Sequence, residues 1–453
     1  MNMNENNGYL SQPQNKILTE KVWKDRITAI ESVTGKLSDE RKVATAICLE
    51  NTRNLIRYNE SIAATQSPDV GAYKRFALDM VGAIVPNLIA YDLVSVQAMN
   101  NKIGMINFMK YHYGNAKGGV EAGQVFGDVR NFGQSDMNYT SDHIEGEEFT
   151  GTLDWVPVLP GTVKIKLADG KIVSDDKNGG FVDEAGAAVE SAAVNYATGE
   201  VTGVATGENV TVSYGYANEH VPAKSIPSIT LSIESLPIKA RTRRLAAIWG
   251  FEASYELQKE YGASMEDLIS TTAAGEINHE IDLEIMDKIL RGSALSERDA
   301  WSVIPQTGVY SNLQDHYDSF LIYLNQLSND IYAKTRRIRP NYILCGTDVA
   351  TVITSNRTFK PSGEAVNAKG PYYAGQLGQF KVYVSPDFGA KEFCLGYKGD
   401  TLLDAGFVYA PYMPIMTTAM AQLEDMAGRK GWATMYGTRM VNDRMYLRSA
   451  IQG

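Results

Sequence analysis

The chain has 453 residues, 44% of them hydrophobic, which is enough for two or three domains around sizeable cores. Fifty-three acidic against 43 basic residues give a formal charge of −10, which repels a phosphate backbone and disfavours a dedicated nucleic-acid binder. Cys48, Cys345 and Cys394 are odd in number, far apart and without a CxxC pair, which excludes a disulfide framework or zinc knuckle and predicts reduced, mostly buried thiols.

The opening "MNMNENNGYLSQPQ" lacks the basic start and apolar core of a signal peptide. The first twenty residues, rich in Asn and Gln, read as a mobile arm. "LSDERKVATAICLENTRNLI" then places Val43, Ile47 and Leu55 at helical spacing behind a Ser38 cap. The longest apolar run, "MVGAIVPNLIA" from Met80 to Ala90, is shorter than the ~20 residues of a membrane helix and is broken by Pro86 and Asn87. From Gly114 to Gly146 glycines are many and aliphatics few, the pattern of an extended surface loop.

The composition shifts between about Gly151 and Glu219. "TVKIKLADGKIV" alternates Val163, Ile165 and Leu167 and turns at Asp169-Gly170 before Ile172 and Val173. "AVNYATGEVTGVATGENVTVSYGY" repeats the pattern with turns at Thr198-Gly199 and Thr206-Gly207, and with Val210, Val212, Tyr214 and Tyr216 on one face. This predicts a small β domain, residues 151–220, inserted into a host.

The host resumes with "SIPSITLSIESLPIKARTRRLAAIWGFEASYELQKEYG", strand-like to about Ile248 and helical to about Gly262. Ser264, with Asp267 three residues on, caps a helix that Gly292 stops; at ~1.5 Å per residue it spans about 40 Å. A second amphipathic helix over 312–337 aligns Leu313, Tyr317, Phe320, Leu324, Leu327 and Ile331. "NYILCG" and "QFKVYVSP" read as strands with "TDVATVITS" as a helix between them. The order is mixed α+β, without regular βαβα alternation.

Within "GEINHEIDLEIMDKIL", Glu276 and His279 carry the Glu-x-x-His spacing of a carboxylate-bridged di-metal helix, which needs a second such helix. No other histidine, at 112, 143, 220 or 316, has Glu three residues before it, and the zinc-protease position holds Leu283. Phosphate-binding glycine loops and the Gly-x-Ser-x-Gly elbow are also missing from the sequence. The reading is therefore of a non-enzyme without cofactors, metal or catalytic residues, a metalloenzyme using Glu276 and His279 being the rival class.

The remaining polar signals are contact surfaces. Ile269, Ala273, Ile277, Ile281, Ile285 and Ile289 form one helix stripe, and Glu276, Glu280 and Glu284 line another face. Like charges at this spacing cost an isolated helix ~0.2–0.5 kcal/mol per pair. Upstream, "KARTRR" sets Lys239, Arg241 and Arg243 on one strand face with Arg244 beside them. Either both faces are solvated, or the strand of one subunit meets the acidic helix of its neighbour.

"VPNLIAYDLVSVQAM" followed by "IGMINFMKYHY", then "KARTRRLAAIWGFEASYELQKEYGASMEDLISTTAAGEINHEIDLEIMDKIL", "RPNYILCGTDVATVI", "YYAGQLGQFKVYVSP" and "GWATMYGTRMVNDRMYLRSA" together resemble the major capsid proteins of T-even-like tailed bacteriophages. The likeness runs in family order from about residue 80, the insertion excepted. It implies a Hong Kong 97-type capsid fold. The parts would be an N-terminal arm (1–85), an E-loop with adjoining strands (86–150 and 221–248), the inserted β domain (151–220), a peripheral domain on a long spine helix (249–300 and 425–453), and an axial domain (301–424).

The resemblance further implies a head shell protein that self-assembles into hexamers, with pentamers left open, around double-stranded DNA held without sequence-specific binding. Implied partners are vertex, portal, scaffold and decoration proteins, with no membrane. The implied location is the virion, after assembly in the host bacterial cytoplasm. Alternatives within this class are a vertex-specific paralogue that forms pentamers and an encapsulin-type compartment shell. Family members are commonly trimmed after a hydrophobic-x-Glu sequence, which "LTE" matches at Glu20; the reading leans towards an untrimmed chain. The insertion reads as a decoration of the shell or, alternatively, as a binder of host-surface glycans.

Overall fold

A computed structural model of the chain describes residues 13–62, 88–116, 120–125, 135, 141–144, 151–153, 155–167, 170–203, 210–220, 226–262, 264–305, 312–363, 370–399, 405–418, 421–422 and 427–453. It divides into two units, Met1–Phe108 with Ser235–Gly453, and Met109–Glu234. The turns expected at Asp169 and Thr206-Gly207, and most of the glycine-rich 114–146 stretch, lie outside the described residues.

In the larger unit the principal helices are α1 Lys24–Thr34, α2 Asp39–Ile62, α3 Phe251–Tyr261, α4 Met265–Gly292 and α5 Leu313–Thr335, with the shorter Thr347–Thr354 helix expected between "NYILCG" and "QFKVYVSP". Its principal strands are β1 Ser95–Val96, β2 Arg241–Trp249, β3 Tyr342–Cys345, β4 Tyr372–Leu377, β5 Phe380–Val384, β6 Glu392–Gly396, β7 Phe407–Thr417, β8 Gly428–Met440 and β9 Leu447–Gln452. One sheet runs β1-β7-β8-β2, with Ala421–Gln422 also on β8. A second runs Ala294–Leu295, β9, β6, β3, β5, β4 and Phe359–Pro361, with parallel pairing of β3 to β5 and antiparallel pairing of β3 to β6. The class is mixed α+β.

The expected caps form: Ser38 Oγ accepts from the Arg41 N–H and Ser264 Oγ from the Asp267 N–H, each at 3.4 Å. Asn312 caps α5 in the same way, its Oδ1 accepting from the Asp315 N–H at 2.9 Å. The α4 stripe then sinks into the main core, where Ala273, Ile277, Ile281, Ile285 and Ile289 pack with Ile47, Tyr409 and Trp432. Each isoleucine so buried contributes about 1.5–3 kcal/mol. Phe320, Leu324, Leu327 and Ile331 of α5 build a second core against β3, β5 and β6.

Two local expectations change. The strand read as continuous to Ile248 is two strands, Ile229–Lys239 and β2, divided at Ala240. Ala240 is buried and its N–H bonds to Lys102 O at 2.9 Å; the first strand pairs with Ile103–Tyr113, whereas β2 turns to pair with β8. Of the first twenty residues, read as a mobile arm, 1–12 lie outside the described residues, and 13–20 are helical. Trp23 explains this: its Nε1 donates to Glu50 Oε2 at 3.1 Å, the Arg53 guanidinium lies 5.3 Å over its ring, and Trp23 and Ile27 join the main core.

The smaller unit holds a sheet ordered 141–144, 210–213, 164–166, 172–175, 180–182, 188–194, 200–202 and 151–152. Its own core contains Trp155, Val163, Ile165, Phe181, Val212, Tyr214 and Tyr216. Asp176, Asp183 and Asn195 close successive hairpins by accepting backbone N–H bonds two to four residues ahead.

Candidate subunit-contact surface

Four of the sequence-predicted charges, Lys239, Arg241, Arg243 and Glu284, come together where β2, β8 and α4 meet. β2 and β8 are antiparallel, with Arg241 opposite Tyr436 and Arg243 opposite Thr434. The helix is fastened over this sheet at its N-terminal end by Lys430, a nearly buried β8 side chain whose Nζ donates to Glu266 Oε1 at 2.6 Å.

Glu284 is the hub. Its carboxylate accepts from Lys288 Nζ and Tyr436 OH and pairs with the Arg243 guanidinium, which lies 5.2 Å over the Tyr436 ring. Lys288 Nζ also donates to Thr438 Oγ1 at 2.6 Å. Burial pushes the Glu284 carboxyl up, but the Lys288 and Tyr436 hydrogen bonds and the charges of Lys288 and Arg243 outweigh it and hold the group below its ordinary range. The pairing expected between subunits is made, for Arg243 and Glu284, within one chain, because β2 pairs with β8, the strand whose Tyr436 also bonds Glu284 of α4.

A cleft of about 630 Å³ opens beside this hub, lined by Lys239, Arg241, Arg243, Lys288 and Arg439, with Glu284 as its one carboxylate among the described residues. Arg244 is exposed and is not among the lining residues. Glu276 and Glu280 are exposed and form no ion pair among the described residues. Sequence reasoning missed Lys288, Tyr436 and Arg439. Only Lys288 had a local signal, its i, i+4 relation to Glu284.

His279 sits elsewhere, its Nε2 3.4 Å from Asp387 Oδ2. Among the described residues no group of three or more His, Cys, Asp or Glu could hold a metal, and no helix is long and apolar enough to cross a membrane. Cys48, Cys345 and Cys394 are buried and unpaired, and burial pushes the Cys48 and Cys394 thiols up to about 12. Glu20 is exposed, within the helical turn Leu18–Val22.

A family profile described as "Major capsid protein Gp23" matches residues 70–453. The chain belongs to the Gp23 major capsid protein family. The similar proteins include the major capsid proteins of Vibrio phage KVP40, 23% identical over 80% of this chain and 75% of that protein, and of Enterobacteria phage T4, 26% identical over 80% and 74%. Among solved structures, the capsid of Myoviridae phage XM1 aligns with 50% of this chain and 78% of its own at 10% identity and a TM-score of 0.35, too distant to carry an argument.

As a Gp23-family member, the protein is a structural component of a tailed-phage head whose copies assemble into the multimeric shell of the virion. Membership replaces the metalloenzyme reading of Glu276 and His279 and the encapsulin reading. A shell subunit works through self-complementary contact surfaces, which gives the charged cleft a physical context.

Proposed function

We propose that the chain is the hexamer-forming subunit of an icosahedral head with the Hong Kong 97-type arrangement, enclosing double-stranded DNA without gripping it. The observation that carries the reading is the two-stranded ribbon Ile103–Tyr113 with Ile229–Lys239. Ile103 and Met105 on one strand and Ile229, Leu231 and Ile233 on the other are 53–68% exposed, and large apolar side chains left uncovered at alternate strand positions fit a surface that a partner covers. In this reading the ribbon belongs to the E-loop, α4 is the spine of the peripheral domain, and residues 301–424 form the axial domain. Residues 151–220 decorate the shell, residues 1–85 form the arm, and the chain is not trimmed at Glu20.

Assembly takes place in the host bacterial cytoplasm, with vertex, portal, scaffold and decoration proteins as further partners. Lys239, Arg241, Arg244, Glu276 and Glu280 serve contacts between subunits. The formal charge of −10 supports loose enclosure of DNA, because like charges keep the genome from adhering. Electron cryomicroscopy of purified heads tests the reading: hexamers of this chain are expected, and a chain confined to the vertices would assign it to the pentamers instead. Deleting residues 151–220 should leave adsorption unchanged and the heads fragile; lost adsorption with sturdy heads would make that segment a glycan binder.

A further inference from the structure

Among the described residues, the charges around the cleft do not balance within one chain. Five cations line it against one carboxylate, and Glu284 is already engaged by Arg243, Lys288 and Tyr436. Lys239, Arg241 and Arg439 have no ion pair among the described residues. On the same helix Glu276 and Glu280, two turns and one turn before Glu284, are exposed and equally without an ion pair among the described residues. One face of the molecule thus carries acid at the N-terminal side of Glu284 and base beside and beyond it.

We propose that the cleft between β2, β8 and α4 seats the Glu276 and Glu280 carboxylates of a second copy of this chain, the two copies being related by a two-fold axis that sets their α4 helices antiparallel. The proposal rests on the reading that these faces are contacts between subunits and adds the partner, the polarity and the residues. A parallel arrangement would stack Glu276 and Glu280 on their own equivalents, whereas the antiparallel one lays each acid pair over the other copy's cleft, as an isologous contact requires. Two chains of charge −10 repel at a distance, so a local positive cleft facing a local acidic ridge selects the docking register. Arg243 stays with Glu284, leaving Arg241 and Arg439 as the receiving cations.

The test uses the full chain under conditions in which the wild type forms shells. Arg241→Glu with Arg439→Glu, and separately Glu276→Lys with Glu280→Lys, should each lower the assembled fraction about tenfold at ~0.15 M salt, and the combined variant should recover most of it. Thermal melting of unassembled subunits checks folding; should a reversal fail to fold, Arg241→Gln with Arg439→Gln takes its place and should flatten the salt dependence of assembly. As a direct readout, shells mixed from Glu280→Cys and Arg439→Cys subunits should form an intermolecular disulfide under oxidation.

Folded reversals that assemble like the wild type would overturn the proposal. So would shells that form without the cross-link, an outcome that leaves the wider subunit-contact reading standing. Normal shells that lose packaged DNA on basic reversal would also overturn it and assign the cleft to phosphates. Failure of the wild type to form shells of this chain would instead strike the wider reading.

Discussion

Asp282, buried on α4, accepts a hydrogen bond from the Ala90 N–H at 3.1 Å and joins the long helix to the start of the short helix Ala90–Leu93. Its second oxygen accepts from the Ile89 N–H at 3.3 Å, and it forms no ion pair among the described residues.

Burial pushes the Asp282 carboxyl up to about 7, the two backbone bonds pull the other way, and nearby Asp92, itself paired with Arg41 at 2.8 Å, adds to the rise. Because the folded value lies above the ordinary 3.8, the contribution to stability is full below pH 3.8 and is lost as pH rises through about 7. Asp282→Asn does not titrate there. Between pH 4 and 8 the wild type should lose stability relative to this variant by a few kcal/mol, each tenfold change in proton affinity being worth on the order of 1.4 kcal/mol. Calorimetric melting of unassembled subunits across that window reads the difference, and parallel pH curves would refute it.

The buried Asn51 amide of α2 donates to Met99 O at 2.9 Å and to Tyr412 O at 2.8 Å, stitching an N-terminal helix to β7 and to the segment after β1. Asn51→Ala strands two carbonyls and should cost about 2–4 kcal/mol in urea unfolding. A loss near zero would mean that other donors reach them.

Lys430 and Glu266 should respond unequally. Glu266→Gln removes the carboxylate from a nearly buried ammonium, and should cost about 3 kcal/mol. Lys430→Met removes the buried charge itself while filling similar volume, and should cost less. Thermal melting of both variants decides; equal losses would show that the ion pair is not what stabilises this end of α4.

Two turn glycines make a matched pair. Gly199 has φ 73° and an added Cβ would lie 2.8 Å from Leu153 O, whereas Gly170 has φ 87° and open space. Gly199→Ala should lower stability by about 1–3 kcal/mol more than Gly170→Ala, since only the first adds a clash to backbone strain. Hydrogen exchange at Leu153 and Val201 would register the local loss.

Local signals made much of this legible from residues alone. Ser38 and Ser264 announce their helices because a side-chain oxygen bonding three residues ahead is a short-range event, and the isoleucines of α4 reveal its buried face through spacing. What stayed hidden depends on distant partners. The break at Ala240 arises because one strand pairs with Ile103–Tyr113 and the next with β8. The internal pairing of Arg243 with Glu284 needs that same turn, and Arg439 joins the cleft only because β8 returns beside β2. The anchoring of the N-terminal helices by Trp23 also depends on distant partners, Glu50 and Arg53.

The pairing of β2 with β8 also sets a schedule for synthesis. A nascent chain presents Lys239, Arg241 and Arg243 early, but the opposite wall of the cleft and the seat of α4 await Gly428–Met440. Contacts between segments so far apart close late in folding. Truncated products and chains still on the ribosome therefore lack the cleft proposed to receive another copy, which would act as a built-in check that admits only nearly finished subunits to the shell.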